Sequence, residues 1–345
     1  MGEGLGPASV RRLLRMLAAV GAALVLVVIV SSAYLRLSQA GLSCADWPAC
    51  YGNLSHIAEA TTAQLAARIA HRIAASAVGF VLIALLGVSL TQRPRLAKQA
   101  AIAGLALAVA LMLAAIGAVM SESMRGAPLP AVTLANLLGG FALLALLVWL
   151  RETVRGEPMT RMDATLASTS HPLRGARAFA IIALMAVVVQ VLLGALVSAK
   201  FAALACPGFP LCGTDAPISA LPATLNPFAP LDVDATRTIV RPPALAALHW
   251  AHRAWAHALL VLVAILVVVL ARNGRRRAAL LLALIVIVQL ALGATAVLGG
   301  LRLGVVVAHN LVAAVLLATL VGIVCSTRPV STRPVSEVQP PVSEV

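Results

Sequence analysis

Eight runs of apolar residues, each long enough to cross a lipid bilayer as a helix, constrain this chain more than any other feature of its sequence. About 20 consecutive apolar residues cross the hydrocarbon layer. Hydrophobic residues make up 61% of the chain and charged residues only 11%, a composition that excludes an ordinary soluble domain. We therefore predict an all-α membrane protein whose eight transmembrane helices lie near residues 15–36, 65–91, 99–120, 129–150, 177–199, 244–271, 278–300 and 303–325.

Arginine and lysine cluster in every second loop and produce a formal net charge of +14. The clusters lack the interleaved aromatic residues of single-strand nucleic-acid binders, so we predict no nucleic-acid partner. By the positive-inside rule they predict that both termini are cytoplasmic, with the protein in a bacterial inner membrane or its equivalent. The clusters are Arg11, Arg12 and Arg15; Arg93, Arg95 and Lys98; Arg151, Arg155, Arg161, Arg174 and Arg177; and Arg272, Arg275, Arg276 and Arg277.

Two cysteine pairs with one spacing, Cys44 with Cys50 and Cys206 with Cys212, lie in loops that this topology places on the periplasmic side. Disulfides are typical of oxidising compartments. A disulfide that staples each loop is the favoured interpretation. The alternative is a redox pair that passes electrons or hands over a cofactor.

The same features recur in both halves of the chain. A cysteine loop follows helices one and five, Ala-His-Arg lies in helices two and six, and Asn-Leu lies in helices four and eight. The recurrence predicts two repeated four-helix bundles of equal orientation, related by an axis along the membrane normal. We place the first half at residues 1–150, a cytoplasmic linker at 151–176, the second half at 177–325 and a disordered tail at 326–345.

Three histidines, His71, His252 and His309, lie inside predicted spans. Ionisable groups at such depth usually face a bundle interior or a ligand. With a rise of about 1.5 Å per residue, each lies roughly 9 to 12 Å below the start of its helix, so we predict one layer near the outer face. Opposed imidazoles of His252 and His309, without carboxylate or thiolate, suit axial haem ligation better than a four-ligand zinc site. An interhelical hydrogen bond is the alternative for each histidine.

Arg253 and Arg72 each directly follow one of these histidines. Such an arginine either pairs with a haem propionate or extends to the lipid headgroups, and the sequence does not decide between the two. His249, one turn before the helix-six ligand, is expected as a supporting donor. His257 is turned away from that ligand, and His56 is expected to be a solvated loop residue.

These motifs together resemble those of the haem A synthase family, over all eight helices. The likeness lies in RLSQAGLSCADWPACYG after helix one, in the AHR triplets, in CPGFPLC and in AHN of helix eight. The resemblance implies oxidation of the C8 methyl group of haem O, through an alcohol, to the formyl group of haem A for cytochrome oxidase. It implies a haem b cofactor on His252 and His309 and a substrate haem O on His71.

The resemblance also implies partners. These are haem O synthase, oxidase assembly proteins and membrane lipid. A homo-oligomer is compatible with glycines such as Gly139, Gly140 and Gly293, which allow close helix contacts within or between subunits.

The chain departs from the family pattern at two places. Ala135 stands where the first half of the family usually has a second histidine, and Arg68 stands where it tends to have a glutamate. A haem held by His71 alone would keep an open position on its iron, and such a position is compatible with catalysis. The favoured interpretation is therefore an enzyme. The alternative is a non-catalytic haem b-binding electron carrier or oxidase-assembly protein.

Overall fold

The structure is a computed structural model that describes residues 6–42, 48–53, 61–92, 96–123, 129–154, 171–206, 208–210, 212 and 217–327. Eight long helices dominate these residues, each with a stretch long and apolar enough to cross a membrane. The prediction of an all-α, multi-pass membrane protein is therefore confirmed. The helices are α1 (Pro7–Gln39), α2 (Thr62–Thr91), α3 (Ala97–Ser123), α4 (Pro130–Thr153), α5 (His171–Ala199), α6 (Leu245–Arg272), α7 (Arg276–Leu298) and α8 (Leu303–Ser326).

Most helix ends fall within three residues of their predicted positions, but α1 and α5 begin earlier. α1 starts at Pro7, eight residues before the predicted start at 15, because proline is pre-organised for the first helical position. α5 starts at His171, inside the segment predicted as linker. Some predictions concern positions outside the described residues, namely Cys44, His56, Arg93, Arg95, most of the linker (155–170) and the tail from 328 onward.

A capping box fixes the start of α2. The Thr61 side chain accepts a hydrogen bond from the Gln64 backbone N–H, and the Gln64 side chain accepts one from the Thr61 backbone N–H. These two bonds satisfy donors that a helix start leaves free. The helix therefore begins three residues before the predicted position, and His71 lies about 14 Å along its axis.

The helices pack in two rings. In the second half α5, α6, α7 and α8 each contact their neighbours in the chain, and α8 also contacts α5. α6 and α8 are therefore diagonally opposite across the centre of this ring. α1 to α4 form a ring of the same order, and the two rings meet through α1 and α4 on one side and α5 and α8 on the other.

Close approach of α1, α2 and α4 depends on Gly21. A Cβ atom added there would lie 3.1 Å from Cγ1 of Val81 and 3.2 Å from Cδ2 of Leu147. In lipid, helices associate through close packing rather than through exclusion of water. The space at Gly21 is therefore part of what holds the first ring together.

The loops after α1 and before α6 meet at the end of the bundle that carries the cysteine loops. The backbone N–H of Ile239 donates to the Gly52 carbonyl at 3.0 Å. The Tyr51 ring lies 5.4 Å from the Phe201 ring and carries the Arg241 guanidinium 5.4 Å from its centre. Burial raises the pKa of Tyr51 to about 12, against the opposing charge of Arg241. Tyr51 is thus a neutral phenol that joins the two halves.

Replacement of Gly21 by leucine is expected to lower the melting temperature of the purified protein in detergent. Overpacking of this kind costs about 1 to 3 kcal/mol. Gly79→Leu on α2 is the matched control, because nothing lies within 4 Å of a Cβ atom placed there. Equal melting temperatures for the two variants would contradict the packing described for Gly21.

Candidate functional site

α5 positions the His252 ring. A Cβ atom at Gly194 would lie 2.8 Å from Cε1 of His252, so the ring occupies the space that only glycine leaves. Gln190, one turn earlier on α5, donates from Nε2 to the His252 carbonyl at 3.1 Å and lies 3.2 Å from Nδ1 of the ring. The imidazole is therefore held on one side by a steric fit and on another by an amide.

α7 positions the His309 ring in the same way. A Cβ atom at Gly293 would lie 3.2 Å from Cε1 of His309, and Nε2 of Gln289 lies 3.2 Å from Nε2 of His309. Because an amide nitrogen only donates, this ring nitrogen must accept and carry a lone pair. The proton then lies on Nδ1, and the amide occupies the Nε2 lone pair, so iron could bind at Nε2 only in place of this contact.

One short pattern produces both arrangements. α5 contains QVLLG at 190–194 and α7 contains QLALG at 289–293, and residues four apart lie on the same face of a helix. Sequence reasoning missed Gln190 and Gln289 and read Gly293 only as a helix contact. The available signal was a glutamine inside two apolar spans, each followed by glycine at the same spacing.

The two histidines belong to one region of the second ring. They extend from diagonally opposite helices of this ring. Three side-chain atoms here are buried without a hydrogen-bond partner in the described parts of the chain: Oε1 of Gln190, Oε1 of Gln289 and Nδ1 of His309. Unpaired buried polar atoms are costly, so this region is suited to a further polar partner.

The donor set fits haem iron. In the described residues no group of three or more His, Cys, Asp or Glu could hold a metal ion, whereas a zinc site needs three or four such ligands. Two neutral imidazoles are sufficient for the axial positions of a haem. The glycines leave room for the rings, and the glutamine amides lie beside them.

Arg253 fastens the second cysteine loop to α6. The Cys206–Cys212 disulfide closes this loop. The buried Arg253 guanidinium donates from Nη2 to the Cys206 carbonyl at 2.7 Å, from Nη1 to the Gly208 carbonyl, and from Nε to Nε2 of His249 at 3.3 Å. The described contacts of Arg253 are thus with two carbonyls of the cysteine loop and with His249.

Two further histidines of α6, His249 and His257, were predicted to differ in the direction of their side chains. His249 is buried, and Arg253 donates to its Nε2, so in the described contacts it accepts at this atom rather than donates. His257 is exposed, and its Nδ1 lies 2.8 Å from the Arg253 carbonyl. That exposed position agrees with its expected direction away from the ligand.

His71 has a different partner. Its Nδ1 lies 3.3 Å from Oγ of Ser31, and the Ser31 hydroxyl donates to the Val27 carbonyl at 2.7 Å. Since a hydroxyl has one proton, Ser31 accepts from Nδ1–H of His71 and leaves Nε2 with its lone pair. The side chains of Arg68 and Arg72 are exposed on the same helix.

An apolar cleft lies beside Ser31. Its volume is about 690 Å³, and its walls come from α1, α2 and α8. Small residues on α2, including Ala67 and Ala70, open it, and Val307 and Leu311 of α8 form the opposite wall. The cleft therefore lies where the two halves meet, one residue from His71 along α2.

Comparison with known proteins agrees with this arrangement of motifs. The model of a family described as cytochrome oxidase assembly protein matches residues 15–321, from within α1 to within α8. The chain is 30% identical to a protein of Shewanella oneidensis named heme A synthase. The aligned segment of 317 residues covers 86% of this chain and 92% of that protein. The similarity thus extends over the whole bundle.

Replacement of Gly194 or Gly293 by alanine is expected to reduce the haem content of the purified protein. The new methyl group would displace the ring of His252 or His309, more strongly at Gly194, where the distance is shorter. Gly322→Ala on α8 is the control, since a Cβ atom there meets nothing within 4 Å. Haem content per protein, measured by absorbance, reports the effect, and equal content in all three variants would contradict it.

Proposed function

The chain belongs to the haem A synthase family, and we propose that it oxidises the C8 methyl group of haem O to the formyl group of haem A, with haem b as cofactor. One observation carries the proposal. His252 and His309 extend from diagonally opposite helices, and each is seated against a glycine and contacted by a glutamine amide. Nothing else in the described residues brings two imidazoles into such matched surroundings.

His252 and His309 would hold haem b in the second half. When bound, this group accepts and passes on single electrons. If His252 and His309 both bound its iron, neither of the positions they take would be open to substrate. The role proposed for this half is therefore electron transfer, with Gln190 and Gln289 beside the two rings.

His71 would hold the substrate haem in the first half. Ser31 accepts from its Nδ1–H and so leaves Nε2 with the lone pair that an iron ligand needs. The neighbouring cleft is apolar, which suits the long isoprenoid chain of haem O. A substrate delivered from the lipid by haem O synthase would therefore find both an iron ligand and a place for its tail.

The packing supports the proposed repeat of residues 1–150 and 177–325. Both rings have the same order of neighbours. Arg36 donates to the Ser198 hydroxyl, and these positions are 162 residues apart, the same offset that relates Cys44 to Cys206 and Cys50 to Cys212. Contact between equivalent positions is expected beside a two-fold axis. We propose cytoplasmic termini and periplasmic cysteine loops stapled by disulfides.

A specific observation favours a second function, a haem b-binding electron carrier or oxidase-assembly protein without catalysis. The first half has Ala135 in place of a second ligand, and the side chain of the adjacent Asn136 is exposed. Arg68, in place of the glutamate, is also exposed and cannot take up a proton. On this view only the second half binds haem in a functional way.

Replacement of His252 or His309 by alanine is expected to abolish the low-spin, bis-imidazole absorption spectrum of the purified protein. The reason is that each variant removes one of the two proposed axial ligands. His257→Ala is the matched control on α6, because that histidine is exposed. A low-spin spectrum that survives in both ligand variants would reject the assignment.

Co-expression with a haem O synthase separates the enzyme from the carrier. We expect haem A or its hydroxylated precursor among the haems extracted from the wild-type protein, measured by liquid chromatography and mass spectrometry. His71→Ala is expected to lose this product while it keeps the low-spin spectrum, since His252 and His309 are untouched. Haem b alone in the wild-type extract would favour the electron carrier.

A further inference from the structure

A cleft lined by four arginines lies at the opposite end of the molecule from the cysteine loops. Its volume is about 510 Å³, and it is bounded by the first turns of α1 and the last turn of α4. No aspartate or glutamate is among the described residues that line it. The arginines are Arg11, Arg12, Arg15 and Arg151.

The α1 wall of the cleft is a single helical face. Its lining residues fall at positions 8, 11, 12, 15, 16 and 19, a spacing of three, four, seven, eight and eleven that places them on one side of a helix. α1 has no acidic residue from Pro7 to Gln39, so none of its own side chains neutralises these guanidinium groups. On α4, Nη1 of Arg151 lies 3.8 Å from Oε1 of Glu152, and the Arg151 side chain remains 39% exposed.

The chemistry of the wall changes along α1. The arginines occupy its first turns, and Met16 and Ala19 follow them toward the membrane interior. Ala19 lies eight residues beyond Arg11, which is about 12 Å along the axis. Guanidinium groups at the rim and an apolar wall below them match a phosphate that is joined to acyl chains. A free phosphate would contact only the rim.

We propose that this cleft binds the phosphate group of an acidic phospholipid, with the acyl chains against Met16 and Ala19. Arginine pairs with phosphate through two parallel hydrogen bonds. Basic pockets between transmembrane helices on the cytoplasmic side are suited to such headgroups, and the positive-inside rule predicts that side for these arginines. The site is separate from the histidines and does not depend on the proposed enzymatic activity.

Native mass spectrometry of the full-length protein tests this proposal. The purified protein is mixed in detergent with equal amounts of phosphatidylglycerol and phosphatidylcholine, and the lipid molecules that remain bound are counted. We expect preferential retention of phosphatidylglycerol. The double variant Arg11→Gln/Arg15→Gln is expected to lower this affinity roughly thirtyfold, from about 1 kcal/mol per charge.

The control removes the same charge elsewhere. Arg276→Gln/Arg277→Gln alters two exposed arginines at the start of α7, outside the cleft, and should retain phosphatidylglycerol as the wild type does. Arg151→Gln alters the cleft from α4 and leaves the N-terminal segment unchanged. We expect it to lower the affinity for phosphatidylglycerol about fivefold. Equal losses in the cleft and control variants, equal retention of the two lipids, or displacement of the lipid by inorganic phosphate would each overturn the proposal.

Discussion

A polar ring inside an apolar bundle needs both space and a hydrogen-bond partner, and this requirement organises the second half of the protein. Lipid supplies no hydrogen bonds, and close-packed helices leave no room for an imidazole unless a neighbouring residue is small. α5 and α7 meet both needs with one glutamine and one glycine four residues apart. The positions of His252 and His309 follow from these two neighbours as much as from their own helices.

The two halves meet the same requirement differently, and the difference suggests a division of labour. In the first half a serine accepts from His71, and an open apolar cleft lies beside that serine between α1, α2 and α8. α1 and α3 have glutamine only near their ends, at Gln39 and Gln99. A fixed pair of rings suits a resident cofactor, whereas one ring beside an accessible cleft suits a molecule that must enter and leave.

Much of this organisation was predictable from the sequence, because lipid imposes long apolar runs and makes every buried ionisable residue conspicuous. The eight spans and the three histidines were found in this way. The start of α2 was not, because it depends on reciprocal bonds between Thr61 and Gln64. The contacts of Arg253 with two loop carbonyls were also missed, since they join positions 45 and 47 residues apart that no local pattern relates.

The central claim is that one iron atom lies between imidazoles from α6 and α8. An electron cryomicroscopy map of the protein purified with its native haem tests it most directly. The account predicts a porphyrin inside the ring of α5 to α8, with its iron bound by His252 on one face and His309 on the other. A porphyrin in that ring held by only one of these residues, or by neither, would contradict the account.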